Sequence, residues 1–213
     1  MAQRTIHLAM AKLISEKIKM ENQKRFEFGH LLPDAVSDCE NRDKSHYIKL
    51  GAYVVYDFEQ FGKEYREKIL KDDLYLGYYM HLIEDVFYRK VLYTYSNMED
   101  IGKYPERVRV LHNDYHLLNK YIIDKFQLKN EIQMPDKFEK EPINNIADFG
   151  GIKDYMHELD NDFRDSVCGE TVYFTEKMLD EYMEKYLDDC VEEIKAIRNG
   201  ESHLKVSDYK WEA

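Results

Sequence analysis

The segment "GYYMHLIEDVFY", residues 77–88, sets His81 and Asp85 one helical turn apart inside a run that is otherwise almost wholly apolar. Residues four apart on a helix point the same way, so the imidazole and the carboxylate share one face. Leu74, Leu76, Tyr78, Tyr79, Met80, Leu82, Ile83, Val86 and Phe87 cover every face of that helix, the pattern of a central, buried one. An ionised carboxylate in such a place costs several kcal/mol unless something positive compensates it. A cationic side chain would serve, and so would a metal ion. The plainer alternative is an Asp–His hydrogen bond on a core helix. Three further residues weigh on the choice: His7 on the apolar face of the first helix, Asp34 just after Pro33, and His46 just after Ser45. All are oxygen or nitrogen donors of the kind that suits zinc, and a zinc ion turns bound water into a nucleophile near neutral pH.

The order of these residues resembles a known family. His7, then "LLPDAV" with Asp34, then "KSHY" with His46, then "GYYMHLIEDVFY" with His81 and Asp85 is similar to the zinc-dependent phospholipase C family. That family shares an all-helical fold with the single-strand-specific zinc nucleases. The resemblance spans roughly residues 5–95, and its most specific piece is G-Y-x-x-H-x-x-x-D. It implies that Asp34, His46, His81 and Asp85 ligate one zinc, and that Asp85 bridges to a second metal which His7 helps bind. Asp34 would also be the catalytic residue that orients or deprotonates the attacking water. The expected cofactor is one or two zinc ions or another divalent transition metal. The chain departs from the family pattern at its start: secreted members use their processed N-terminal residue as a metal ligand, and His7 is too close to Met1 for that. It departs in two later respects as well. "VFYRKVLYTY" supplies no histidine after Asp85, and no later H-x-x-x-E or H-x-x-x-D follows. His112 and His116, four apart on a later helix, are candidates for an additional metal, against the reading of a solvated helix face. His30 is read as a polar loop residue or as a partner of Asp34, and His203 is assigned nothing.

Helices must position these groups. The periodicity predicts helices over 5–20 with Thr5 as N-cap, 57–70, 72–95, and 105–126 opening on Pro105. A short helix over 152–165 and a long one over 171–200, stopped by Asn199–Gly200, complete the set. Residues 26–47, with Gly29, Pro33 and a polar run, read as a loop, and 127–151 as a long irregular connection. No strand is convincing, although "YVVYDF" (53–58) has the composition of one. The expected architecture is a single all-α domain over 1–213, a helical bundle of the phospholipase C and nuclease type.

A net charge of −11 argues against a basic nucleic-acid or membrane surface, but not against a phosphate substrate beside a bound cation. Three cysteines without C-x-x-C spacing, and no signal peptide or membrane span in the sequence pattern, give a cytoplasmic expectation. There is no Gly-rich phosphate loop, G-x-S-x-G elbow, H-E-x-x-H motif or His-Asp dipeptide. The function expected is therefore a metal-dependent phosphoester hydrolase, phospholipase C-like, acting on a small phosphate ester or phospholipid head group. The rival is a non-catalytic helical protein in which four ligands close a structural zinc, used for binding or sensing.

Overall fold

The computed structural model describes residues 2–96, 98, 101–164 and 167–212. In chain order its elements are α1 (Arg4–Lys17), α2 (Gln23–Leu31), α3 (Cys39–Ser45), β1 (Ile48–Leu50), β2 (Tyr53–Tyr56), α4 (Phe58–Glu64) and α5 (Arg66–Ile69). Then follow α6 (Asp73–Ser96), α7 (Pro105–Phe126), α8 (Ile152–Arg164), α9 (Glu176–Arg198) and β3 (Trp211–Glu212). The chain is mostly helical, and α6 is its axis: α1, α2, α4, α5 and α9 all pack against it. This is why α6 is apolar all round, with Leu74, Leu76, Met80, Leu82, Ile83 and Phe87 buried. Each such side chain contributes about 1.5–3 kcal/mol on burial, enough together to carry a few costly polar groups in the same helix. α9 covers one side of it through Leu179, Tyr182, Met183, Tyr186, Cys190 and Ile194, spaced at three and four residues.

The loop expected over 26–47 is instead largely helical. Asn22 and Asp38 cap α2 and α3 by accepting from the backbone N–H of Arg25 and Asn41. Gly29 reads as a breaker in sequence, but it lies inside α2 for a packing reason. A Cβ at Gly29 would run into the Leu74 carbonyl of α6, and one at Gly77 into the Phe26 carbonyl of α2. The two glycines let these helices touch backbone to backbone. Pro33 falls in the short 3-10 turn Leu32–Asp34 that ends α2, where its missing N–H costs nothing. The first helix is capped at Gln3 rather than Thr5, whose hydroxyl donates inward to Asn119 at 2.7 Å. The predicted 57–70 helix breaks at Tyr65 into α4 and α5, and the last helix starts at Glu176, capped by Thr175.

The second correction is a small sheet. β1, β2 and β3 form it in that order, all antiparallel, with Ile48 opposite Tyr56 and Val54 opposite Trp211. β2 falls within the stretch whose composition suits a strand. Its partner β3 comes from the C-terminal segment, a pairing too distant in sequence for periodicity to reveal. Glu193 and Glu59 hold that segment, accepting from the backbone N–H groups of His203, Leu204 and Val206 at 2.9–3.2 Å. Among the described residues no helix is long and apolar enough to cross a membrane.

Candidate metal centre

Local structure brings five potential donors into one cluster. His7 comes from α1, and His81 and Asp85 from α6, all three buried. Asp34 ends the 3-10 turn after α2, and His46 ends α3. A chain of bonds fixes those two ends: Tyr78 donates its hydroxyl to the Ser45 carbonyl at 2.6 Å, and Ser45 donates to the Pro33 carbonyl at 2.7 Å. Tyr47 then takes a left-handed backbone, φ 53°, which turns the chain away and leaves His46 facing α6.

The imidazole protons are assigned by their acceptors. His81 Nδ1 lies 2.6 Å from the His30 carbonyl and His46 Nδ1 lies 2.9 Å from the Arg42 carbonyl, so each Nδ1 carries the hydrogen. Their Nε2 atoms, left with lone pairs, face each other at 3.1 Å. Two lone pairs at that distance repel unless a cation or a proton lies between them. His46 Nε2 is also 3.3 Å from Asp34 Oδ1 and 3.6 Å from Asp85 Oδ2. The other oxygen of Asp85, Oδ1, is 3.5 Å from His7 Nε2 and accepts from Ala2 N at 2.9 Å. The two oxygens of Asp85 thus face different histidines, the arrangement of a carboxylate that bridges two sites. The His7 and His81 rings stack, 4.0 Å between centroids.

Glu84, which the sequence reading passed over, completes the surroundings. Its carboxylate receives His7 Nδ1 at 2.9 Å and His30 Nε2 at 2.8 Å. His30 is accordingly neither a loop residue nor a partner of Asp34: it is buried on α2, its Nδ1 lies 3.4 Å from the Phe26 carbonyl, and its own carbonyl receives His81. With Nδ1 of His7 engaged by Glu84, its Nε2 is buried without a partner, as are Asp34 Oδ1 and Asp85 Oδ2. Burial works against charge on His7, but Asp85 and Glu84 outweigh it and push its pKa up to about 10. Burial and the neighbouring His7 push His81 down to about 3, so its ring is neutral. Burial would raise both carboxylates, yet the N-terminal amino group and then His7 hold Asp85, and His30 and His7 hold Glu84, below the usual carboxylate range.

These groups fit a divalent ion. His7, Asp34 and His81 form one group, and His46, His81 and Asp85 another, with ligand atoms within 4.8 Å of one another in each. His81 has only Nε2 to offer, so the two groups are one connected site. Ligands at 2.0–2.2 Å around a tetrahedral zinc stand about 3.3–3.6 Å apart, close to the 3.3 and 3.6 Å separations from His46 to the two aspartates. Three buried or near-buried carboxylates, Asp34, Glu84 and Asp85, have only histidines as ion-pair partners among the described residues, so a dication also balances charge. The Nδ1 contacts to Glu84 and to two backbone carbonyls are the orienting bonds that metal-binding histidines ordinarily make.

A cleft of about 1260 Å³ opens onto the site at Asp34, with Arg42, Tyr56, Arg89 and Tyr155 also on its wall. His112 and His116 lie exposed on the α7 side of this cleft, apart from the five donors. They belong to no ligand group of three among the described residues, and His112 stacks on Tyr115 at 5.8 Å. The sequence carried a signal for Glu84: in a helix apolar on every face, its carboxylate had to be buried too. No protein-family model, curated protein or solved structure matches this chain.

Proposed function

We propose that this protein is a metal-dependent, zinc-preferring hydrolase of phosphate esters, with Asp34, His46, His81, Asp85 and His7 as metal ligands. The observation that carries the reading is the convergence of Nε2 atoms of His7, His46 and His81 with unpartnered oxygens of Asp34 and Asp85, reached from an open cleft at Asp34. A bound zinc supplies Lewis acidity there, lowering the pKa of water to about 7 and polarising a phosphoryl oxygen. The chain's residues do the rest. Asp34, reached from the cleft, orients a water and accepts its proton. Glu84 holds the His7 ring with Nε2 directed inward, where a bound metal would take the place of its proton, and the His30 carbonyl directs the His81 lone pair. Arg42 and Arg89 on the cleft wall favour an anionic substrate over a neutral ester. The sequence resemblance to zinc-dependent phospholipases C adds the substrate class, a phosphate ester with a small leaving group or head group. The test is hydrolysis of bis(p-nitrophenyl) phosphate by protein purified without chelators. Turnover abolished by chelation and restored by zinc is expected. Zinc-loaded protein with no turnover would leave the site structural.

A further inference from the structure

Arg89 follows Asp85 by one helical turn on α6 and lines the same cleft. Its guanidinium sits among three aromatic rings, 4.6 Å from the Tyr56 centroid, 5.5 Å from Tyr93 and 5.6 Å from Trp211. Nη1 donates to the Tyr93 hydroxyl at 2.5 Å and Nη2 to the Tyr56 hydroxyl. Both acceptors are phenols, and among the described residues no carboxylate is in ion-pair reach. Two of its five N–H donors are used, which leaves three, and no carboxylate touches its charge, Asp85 acting on it only at longer range. The contrast on the same cleft is Arg4, which Asp162 and Glu158 engage at 2.6 and 2.8 Å. Arg42, also on the wall, keeps its Nε buried without a partner, with only a 3.5 Å contact to Asp43.

Three rings around a point are what ordinarily receive a quaternary ammonium. Here the chain's own cation occupies that box, closed by Trp211 from the C-terminal strand. We propose that Arg89 determines specificity at the hydrolase site, selecting phosphate esters whose remaining group is neutral or anionic and rejecting choline-type head groups. A cationic head group meets like charge where its aromatic partners would be, whereas a phosphoryl or glycerol oxygen meets open donors. This inference rests on the hydrolase reading for its substrate, but its test does not require turnover.

The test is calorimetric binding of sn-glycerol 3-phosphate and of phosphocholine, which share a phosphomonoester and differ in the cation. Wild type, Arg89→Met and Arg89→Lys are compared, each zinc-loaded and each chelated, with zinc measured on every sample. Wild type should prefer glycerol phosphate by about tenfold or more, Arg89→Lys should retain the preference, and Arg89→Met should bring the two affinities together. Equal wild-type affinities, or an unchanged ratio in Arg89→Met, would overturn the assignment. Equal wild-type affinities would overturn it even if a variant fails to fold, and the Arg89→Lys and Arg89→Met pair separates Arg89 from Arg42. Selectivity present in protein that takes up no zinc would support the role of Arg89 and overturn the metal reading alone.

Discussion

At the scale of single residues, the account turns on lone pairs. His46 and His81 present theirs to each other at 3.1 Å because backbone carbonyls hold the opposite ring nitrogens. Glu84 does the same for His7 while also taking the His30 proton, so one buried carboxylate orients the cluster from behind. Glu84→Gln keeps the volume but leaves an amide that cannot accept both protons equally well. Zinc affinity should drop 10–100-fold, read by competition with a chromophoric chelator, and unchanged affinity would reduce Glu84 to a packing role. His7, Asp34, His46, His81 and Asp85 were legible as candidates because each is a ligand type, and the structure brings them together. Glu84 carried the same signal as Asp85, a carboxylate in a helix apolar on every face, but its role as acceptor for two histidines did not show in the spacing. His30 was not legible: it follows a glycine that suggests a turn, and only the closeness of α2 to α6 makes it interior.

At the scale of elements, the α2–α6 contact sets the geometry. Gly29 and Gly77 each face a carbonyl of the opposite helix, so neither tolerates a Cβ without the backbones parting. Gly77→Ala should therefore destabilise the protein by about 2 kcal/mol or more, despite alanine's better helix propensity, as a lowered urea midpoint would show. Zinc binding should weaken in the same variant, because the parting moves the His30 carbonyl away from His81. A midpoint raised by propensity alone would refute the close contact. A second tertiary anchor is Asp114 of α7, buried and accepting from the backbone N–H groups of Val172, Tyr173 and Phe174 at 2.6–3.0 Å. Asp114→Ala strands those donors and should cost about 2 kcal/mol or more, again by urea unfolding. Strongly periodic helices were legible from sequence, and α7 begins at Pro105 and ends at Phe126 as its pattern predicts. α2 and α3 were not, because one carries a packing glycine and the other is a short, exposed, polar helix. The sheet escaped because strand pairing between β2 and β3 joins residues far apart in sequence.

At the scale of the whole molecule, His7 offsets only part of the negative charge of the buried cluster, and on the proposed reading a bound dication would offset the rest. Carboxylates and lone pairs confined in an apolar helix core cost several kcal/mol, and metal binding to the folded chain recovers stability by mass action. At a hundredfold excess of zinc over its dissociation constant the gain is about 2.7 kcal/mol. For a chain of 213 residues that amounts to about 5–10 °C in melting temperature, lost on chelation and regained with zinc. A melting curve indifferent to chelator would show the cluster to be held by protons alone. The most direct measurement is metal content by elemental analysis in wild type and Asp85→Asn, both purified without chelators. The substitution keeps size and hydrogen bonding while removing the anion that faces both His7 and His46. Wild type should hold at least about one equivalent of zinc or a similar divalent ion, and Asp85→Asn should hold essentially none and melt with the chelated wild type. Full metal occupancy in Asp85→Asn, or a wild type that carries no metal, would contradict the account.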